Sequence, residues 1–503
     1  MAITTETNSI PASHTKGYRQ ILRSSAIIGG STVVTVIAGV FRTKVLAVML
    51  GPAGIGVFNL LTSIGGMAAN LAGLGVGTSA VRTVAEASGS GDSLRVARTI
   101  IILRRISIVL GILGALILAM ISYPASRVTF GTGAHTLEIA LLGVLVFVSV
   151  VSGSQGALIQ GLRQISNLAR VSIWSAVVGS ILAVPLICFL KADGIVPMMI
   201  LFSAIGLFFS WWYARRVVIE KVNVTWRQTL CESRSMVGLG VVFMGSNMIT
   251  GATLYFNQIL VTRLLGIESM GYYSAAYSLA GVYVGFILAA MGKDLFPRLA
   301  ASAQDHEECN RIVNQQTEVS LLLAVPGLAF TLLAAPWVIT MFYAHGFAPA
   351  AGVLCWLVWG VLGRVVCWPM GYLLIALDCR HAYFWSELAS NVVNVALTWV
   401  GIHYFGLAGT GMAFAGLYLF CTILMLFVTF RVSGFRYSPT NLKLVSWMLP
   451  SLAVVLAASR WLPPKLGYPV GGVITLVLGY ICARRLASWI SPARLGFLAR
   501  FLH

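Results

Sequence analysis

The chain has 503 residues, of which 58% are hydrophobic and 10% charged, with 34 Lys and Arg against 15 Asp and Glu and a formal net charge of +19. Ordinary soluble domains carry about 25% charged residues, so at a mean hydropathy of +0.88 this chain cannot cover a water-facing surface. A soluble enzyme, a nucleic-acid-binding domain and a secreted disulfide scaffold are excluded, which leaves a polytopic membrane protein.

A helix that crosses a bilayer needs about 20 mostly apolar residues, with its backbone groups bonded internally. Six such runs fall near 24–49, 54–81, 99–123, 137–161, 168–190 and 195–214. Six more fall near 236–262, 269–292, 317–343, 349–376, 382–404 and 407–430, and a final pair near 444–462 and 467–483. The sequence therefore predicts an all-α fold of about 14 transmembrane helices. The apolar–polar alternation of barrel strands, over roughly 10 residues, is absent from these runs.

Orientation follows from Lys and Arg in alternate connections. One side receives 26 of the 34, the other receives five (Arg127, Lys191, Arg263, Arg460 and Lys465), and three lie within spans. The asymmetry predicts an even number of spans with both termini in the cytoplasm, and it makes the net charge mostly a topology signal. Residues 1–20 are polar and the first apolar run is too long for a cleavable signal. None of the eight Cys falls in an outward connection, so a structural disulfide is not expected.

The chain also contains itself twice. At an offset of 215 residues Gly51 matches Gly266, Gly56 matches Gly271, Gly156 matches Gly371, Leu162 matches Leu377 and Gly194 matches Gly409. The pair Arg216 and Val217 matches Arg431 and Val432. Matches at the same place in corresponding spans predict two six-helix bundles, residues 1–217 and 218–431, related by a pseudo-two-fold axis along the membrane normal. Residues 432–503 then hold an extra helix pair and a basic amphipathic tail (Arg484 to His503) lying on the inner leaflet. Two such bundles facing a central cavity are the architecture of a transporter. The longest connections, near 83–98, 215–235 and 293–316, are too short for a soluble domain. No GxxxxGK[ST], HExxH or GxSxG pattern occurs and no metal ligands cluster, so neither an enzyme nor a cofactor or metal is indicated.

Charged groups at bilayer depth are costly and usually face a partner or a wet cavity. Arg42 and Lys44, in the outer part of the first span, either snorkel to the headgroups or line an outward vestibule that attracts an anion. Arg364 lies near the centre of the tenth span, too deep to snorkel easily; it makes a structural ion pair, caps a carbonyl or forms an anion site. In the eleventh span Glu387, Asn391, Asn394 and Thr398 share one helical face, as do Ser246, Thr250, Thr253 and Asn257 in the seventh. Such stripes glue helices together or wet a pore wall. The carboxylate favours the pore for the eleventh and makes Glu387 a candidate ion-coupling site. Lys293 and Asp294 form an interfacial charge cluster at the inner end of the eighth span, with Asp294 a second coupling candidate. Arg82 and Arg298 occupy similar inner positions, where they could meet an anionic headgroup.

Two stretches carry a family resemblance. One is KVLAVMLGPAGIGVF, Lys44 to Phe58; the other is GALIQGLRQISNLARVSIWSAVVGS, Gly156 to Ser180, with its counterpart GYLLIALDCRHAYFWSELASNVVNVAL, Gly371 to Leu397. They resemble polysaccharide flippases of the multidrug/oligosaccharidyl-lipid/polysaccharide (MOP) exporter superfamily, in the O-antigen branch, and the similarity extends over spans one to twelve. The resemblance implies alternating access by a V-shaped pair of bundles. It implies that an undecaprenyl-diphosphate-linked oligosaccharide, of O-antigen, exopolysaccharide or capsule type, moves from the inner to the outer leaflet of a bacterial plasma membrane. A proton or sodium ion would be the coupling ion, and a polysaccharide polymerase and chain-length proteins would be the partners. A diphosphate suits cationic residues such as Arg42, Lys44, Arg82 and Arg364, with Asn257, Asn391 and Asn394 as polar contacts. The departure is the last helix pair, since many O-antigen flippases stop near twelve spans whereas lipid II flippases have fourteen. The competing readings are a cation-coupled drug exporter of the same superfamily, a membrane polymerase or ligase, and a non-transport assembly protein. In-membrane charges that are mostly basic weigh against the first, and short outward connections weigh against the second.

Overall fold

A computed structural model describes residues 12–217 and 222–488, with side chains described from Ile27 onward. Of the basic tail expected from Arg484 to His503, residues 484–487 continue the last helix, and the part from 489 onward lies outside the described residues. Every regular element among them is helical. In chain order these are α1 (Ala12–Gly73), α2 (Val76–Gly89), α3 (Ser93–Met120), α4 (Ser122–Phe130), α5 (Thr136–Gly161), α6 (Ile165–Leu190) and α7 (Ile195–Ala214). There follow α8 (Trp226–Leu265), α9 (Ile267–Ala301), α10 (His306–Phe342), α11 (Ala350–Ala376), α12 (Arg380–Ser433), α13 (Pro439–Trp461) and α14 (Pro464–Ala487). Among the described residues, ten segments are long and apolar enough to cross a membrane.

Three of those ten run to 47, 50 and 54 residues, far beyond the roughly 20 a bilayer needs, and each contains a break. In α1 the break is at Gly51 (φ 65°, ψ −168°), with Pro52 opening the next turn. Between α6 and α7 it is at Lys191 (φ 50°, ψ −126°), and in α12 at Gly406 (φ 57°, ψ −135°). The breaks obey the internal repeat. Lys191 and Gly406 are 215 residues apart, as are Gly51 and Gly266 (φ 88°, ψ 168°). A third pair, Arg163 (φ 57°) and Asp378 (φ 55°), ends α5 and α11 in the same way. Around it Gln164 N–H donates to the Ile159 carbonyl at 3.0 Å, and Cys379 N–H to the Leu374 carbonyl at 2.9 Å. This six-to-one bond is the Schellman turn that closes a helix on a left-handed residue.

The connections expected near 83–98, 215–235 and 293–316 differ from loops, because helices run on into them. Arg82–Glu86 in α2 and Asp294–Arg298 in α9 are ion pairs at i,i+4, and Glu308–Arg311 in α10 pairs at i,i+3. Such pairs support a helix that has left the bilayer. Asp92 caps α3 by accepting from the N–H groups of Leu94 and Arg95 at 2.9 and 3.1 Å. Asp305 caps α10 through Glu307 and Glu308, both at 3.0 Å.

The chain divides into two compact units, one from Met1–Leu50 and Leu60–Gly251, the other from Gly51–Asn59 and Ala252–His503, within the described residues. The first unit thus includes the opening half of α8. Gly240 of α8 lies backbone to backbone against Leu74 and Gly75, where a Cβ would overlap the facing main chain. In the first half of α3, Arg105 donates to the Val224 carbonyl at 2.6 Å and Arg98 pairs with Glu232. In the second unit Gly56 meets the Ile267 carbonyl and Gly271 meets the Pro52 carbonyl, again with no room for a Cβ. The last helix pair docks on α10 of this unit. Asn441 of α13 donates to the Asn314 carbonyl at 2.9 Å, Trp337 stacks on Tyr468 at 5.4 Å, and Arg485 of α14 pairs with Glu318 at 2.7 Å.

Candidate functional site

In the first unit Arg42 of α1 is half-buried, with its guanidinium 4.3 Å above the ring of Phe202 in α7. That ring sits on Gly179 of α6, where a Cβ would stand 2.5 Å from it, so the small residue makes the cation–π stack possible. The Arg42 Nε is buried without a hydrogen-bond partner among the described residues. Lys44 is also half-buried, but side chains two apart point to opposite sides of a helix, so the two cations do not form one site. Arg82 stands on α2 and holds Glu86 at 2.7 Å, with the two side chains 68% and 54% exposed. The unit also contains a cleft of about 420 Å³ whose polar lining includes Asn70, Thr78, Ser107 and Ser149. Around Gly66, Gly77 and Gly153 of this cleft an added Cβ would meet nothing.

The second unit brings more of the expected residues together. Asn257 of α8 donates to the Asn394 side-chain oxygen on α12 at 3.2 Å, and Thr398 donates to the same oxygen at 3.5 Å. Asn257 is 4% exposed, and its own side-chain oxygen is buried without a partner. One turn before Asn394 the Asn391 amide donates to the Glu387 carbonyl at 2.8 Å and reaches its carboxylate at 3.4 Å. The stripe of the eleventh span is therefore two bonded pairs, Glu387 with Asn391 and Asn394 with Thr398, and the stripe on α8 joins the second through Asn257. The side chain of Ser246 lies outside the described residues, as does that of Lys293.

Arg364 of α11 is half-buried, and among the described residues no carboxylate pairs with it. Two half-buried tyrosines, Tyr277 of α9 and Tyr418 of α12, lie in its neighbourhood. Their rings belong to an aromatic group in which Phe414 packs on Tyr277 at 5.8 Å and on Tyr418 at 4.9 Å. Gly360 and Gly363 of α11 leave the space that Phe414 and Tyr418 fill. One turn along α11 from Arg364, Cys367 is within reach of both Tyr418 and Glu387. Cys421 donates to Ser390 at 3.2 Å and also feels Glu387. A polar strip thus runs from a cation to a carboxylate along α11 and α12. Sequence reasoning missed Tyr277 and Tyr418; the i,i+4 aromatic pairs Tyr273–Tyr277 and Phe414–Tyr418 were the available signal.

Asp294 lies apart from this strip. It pairs with Arg298 at 3.4 Å and lines a cavity of about 710 Å³ together with Gln315, Gln316 and Glu318.

Among the described residues the chain is all-helical and multi-pass, with cations and polar stripes on its membrane helices; these are features of a membrane transporter, and comparison with known proteins supports that class. Residues 45–351 match the family described as "Polysaccharide biosynthesis protein", so the chain belongs to that family, within the polysaccharide-flippase branch of the MOP superfamily. It is similar to the lipid III flippase of Escherichia coli (strain K12), 24% identical over 421 residues, which cover 79% of this chain and 95% of that protein. In fold it is similar to the lipid II flippase MurJ in an inward closed conformation (TM-score 0.68, 14% identity, 92% of this chain and 98% of that one). It is likewise similar to an inward-facing multidrug resistance MATE family transporter of the MOP superfamily (TM-score 0.66, 16% identity, 80% of this chain and 95% of that one).

Proposed function

We propose that the protein is a flippase that carries an undecaprenyl-diphosphate-linked oligosaccharide repeat unit from the inner to the outer leaflet of a bacterial inner membrane, by alternating access. The observation that carries this reading is Arg364, a half-buried arginine on an apolar helix that no carboxylate pairs with among the described residues. A buried cation without an anion is costly, and a diphosphate supplies the missing charge with the bidentate geometry a guanidinium prefers. The likeness to a lipid III flippase supports the lipid-linked saccharide as substrate class. Arg42, Lys44 and Arg82 serve as weaker cationic contacts than Arg364, and Asn257, Asn391 and Asn394 contact the polar headgroup.

In this reading fourteen helices span the membrane: the three long segments divide at their breaks and α8 is counted as a further span. Residues 1–217 and 218–431 act as the two bundles, residues 432–503 add the extra pair, and both termini face the cytoplasm. Glu387 is the proton or sodium coupling site, with Asp294 as a second coupling group, and a polymerase and chain-length proteins take up the product.

The test is reconstitution into liposomes with a fluorescent polyprenyl-diphosphate saccharide, scored by access of a membrane-impermeant quencher to the label. Protein-dependent movement that falls with Arg364→Ala, in a protein recovered at normal levels, supports the reading. Movement in Glu387→Gln that no longer responds to a proton or sodium gradient supports the coupling role. Absence of movement with several headgroups, alongside export of organic cations, shifts the assignment to a drug exporter.

A further inference from the structure

Two adjacent arginines in the first half of α3 have different surroundings. Arg105 donates to the Val224 carbonyl at 2.6 Å and to the Thr229 hydroxyl at 3.4 Å, and its guanidinium lies 5.0 Å from the Trp226 ring. It fastens α3 to the opening of α8, as the Arg98–Glu232 pair also does. Arg104 has no such employment. Among the described residues it has neither an ion pair nor a hydrogen-bond partner, and its Nε is buried without an acceptor.

Arg104 faces a cavity of about 480 Å³ between α3, α5 and α7, lined also by Ile108, Gln155, Phe208 and Trp211. Gln155 of α5 is only 5% exposed, and its side-chain oxygen is buried with no hydrogen-bond donor among the described residues. One cavity therefore contains an unmet donor on a cation and an unmet acceptor. Each is a desolvation cost that folding alone leaves uncompensated, and buried polar groups in native proteins seldom go unpaired. Water can meet each group singly; one ligand that meets both carries an anionic acceptor together with a hydroxyl or ammonium donor.

The surroundings identify where such a ligand would come from. Trp211 stands one turn before Arg215 and Arg216, whose guanidinium groups stack on the aromatic end of α7; that of Arg215 is 4.9 Å from the Trp211 ring. Tryptophan beside arginine marks the boundary between headgroups and acyl chains, here on the side that receives most of the basic residues. Ile108 and Phe208 at the cavity are 43% and 52% exposed, which gives acyl chains an apolar surface. Basic pockets between membrane helices on the cytoplasmic side suit phosphate headgroups.

We infer that Arg104 and Gln155 form a binding site for the phosphate headgroup of an inner-leaflet lipid that also carries a hydroxyl or ammonium group. Arg104 holds the phosphate, Gln155 accepts from the hydroxyl or ammonium, Trp211 covers the glycerol region, and the chains follow Ile108 and Phe208. The site is independent of the transport reading, since Arg104 belongs to neither the Arg42 stack nor the Arg364 strip. Phosphatidylglycerol and phosphatidylethanolamine both fit the chemistry, and so does the headgroup of a lipid-linked diphosphate saccharide.

The experiment uses the full chain in detergent, titrated with phosphatidylglycerol, with a polyprenyl diphosphate saccharide, or with diacylglycerol as the phosphate-free probe. Melting temperature and native mass spectrometry report binding. The wild type is expected to gain melting temperature from phosphatidylglycerol and not from diacylglycerol, and Arg104→Gln and Gln155→Leu to bind about tenfold more weakly or worse, as loss of a charge-assisted bond implies. Without added lipid Gln155→Leu should melt no lower than wild type, because it removes an unpaired acceptor; this variant decides the matter if Arg104→Gln fails to fold. A response to the polyprenyl diphosphate alone, lost in both variants, also supports the site and assigns it to the lipid-linked saccharide. Equal gains in wild type and both variants, or an equal gain from diacylglycerol, would overturn it.

Discussion

Arg42 and Arg364 are both arginines in apolar membrane helices, yet the two units accommodate them by different means. In the first unit Arg42 lies on the face of Phe202, a contact that neutralises nothing but replaces some lost hydration. In the second unit Arg364 has Tyr277 and Tyr418 in its neighbourhood, whose hydroxyls are able to orient a cation's ligand without competing as anions. A cation above a ring is satisfied sideways and can be structural. One with hydroxyls in its neighbourhood and no paired carboxylate keeps its charge available. The comparison ranks Arg364 above Arg42 as the anion site, a ranking that burial alone would not produce because both are half-buried.

The sharpest test of that ranking is Arg364→Ala. A charge-assisted hydrogen bond is worth about 1.5–3 kcal/mol, so initial flipping rates in liposomes should fall about 10- to 100-fold while purified yield and melting temperature stay near wild type. Arg364→Lys should recover part of the loss, since the charge remains and the planar fork does not. A collapse in yield would instead place Arg364 in the packing of α11.

Removal of the two tyrosine hydroxyls comes next. Tyr277→Phe and Tyr418→Phe preserve the aromatic group around Phe414, so stability should hold while flipping drops roughly 3- to 10-fold each, the scale of a neutral hydrogen bond of about 1 kcal/mol. If neither variant affects transport, the hydroxyls are packing neighbours and the contrast with Phe202 loses its meaning. Arg42→Ala should do less in transport than either. Its cation–π stack is worth about 0.5–2 kcal/mol, and the loss should register in melting temperature. Phe202→Leu should reproduce it.

Much of this was legible in the sequence, for identifiable reasons. Apolar runs predict spans because a bilayer demands about 20 residues whatever the fold, and the offset of 215 is recovered in backbone angles at Gly51 and Gly266. The offset also governs Arg163 with Asp378 and Lys191 with Gly406, pairs that share conformation and no side-chain chemistry, so residue matching could not find them. The row from Glu387 to Thr398 was legible because helical spacing is local. Tyr277 and Tyr418 were not, because their meeting with Arg364 depends on how α9, α11 and α12 pack. The partnerless state of Arg104 was equally hidden, since in sequence it cannot be told from Arg105 beside it.

Arg82 gives the smallest expected effect and the boundary of the comparison. The sequence places it at an inner position where an anionic headgroup could arrive, but the structure gives it a carboxylate of its own, Glu86 at 2.7 Å. Exposed pairs of this kind contribute little because water and salt screen them. Arg82→Ala should therefore change flipping by less than about twofold, and the effect should shrink further at high salt. Glu86→Gln is the informative partner variant. It frees the Arg82 guanidinium, so if Arg82 does meet the diphosphate, transport at low substrate should rise; if the pair only props the helix beyond the bilayer, Glu86→Gln and Arg82→Ala should be indistinguishable. A loss in Arg82→Ala as deep as that in Arg364→Ala would show that exposure and pairing are poor guides to which cations the headgroup meets, and would undo the ranking built on Arg42 and Arg364.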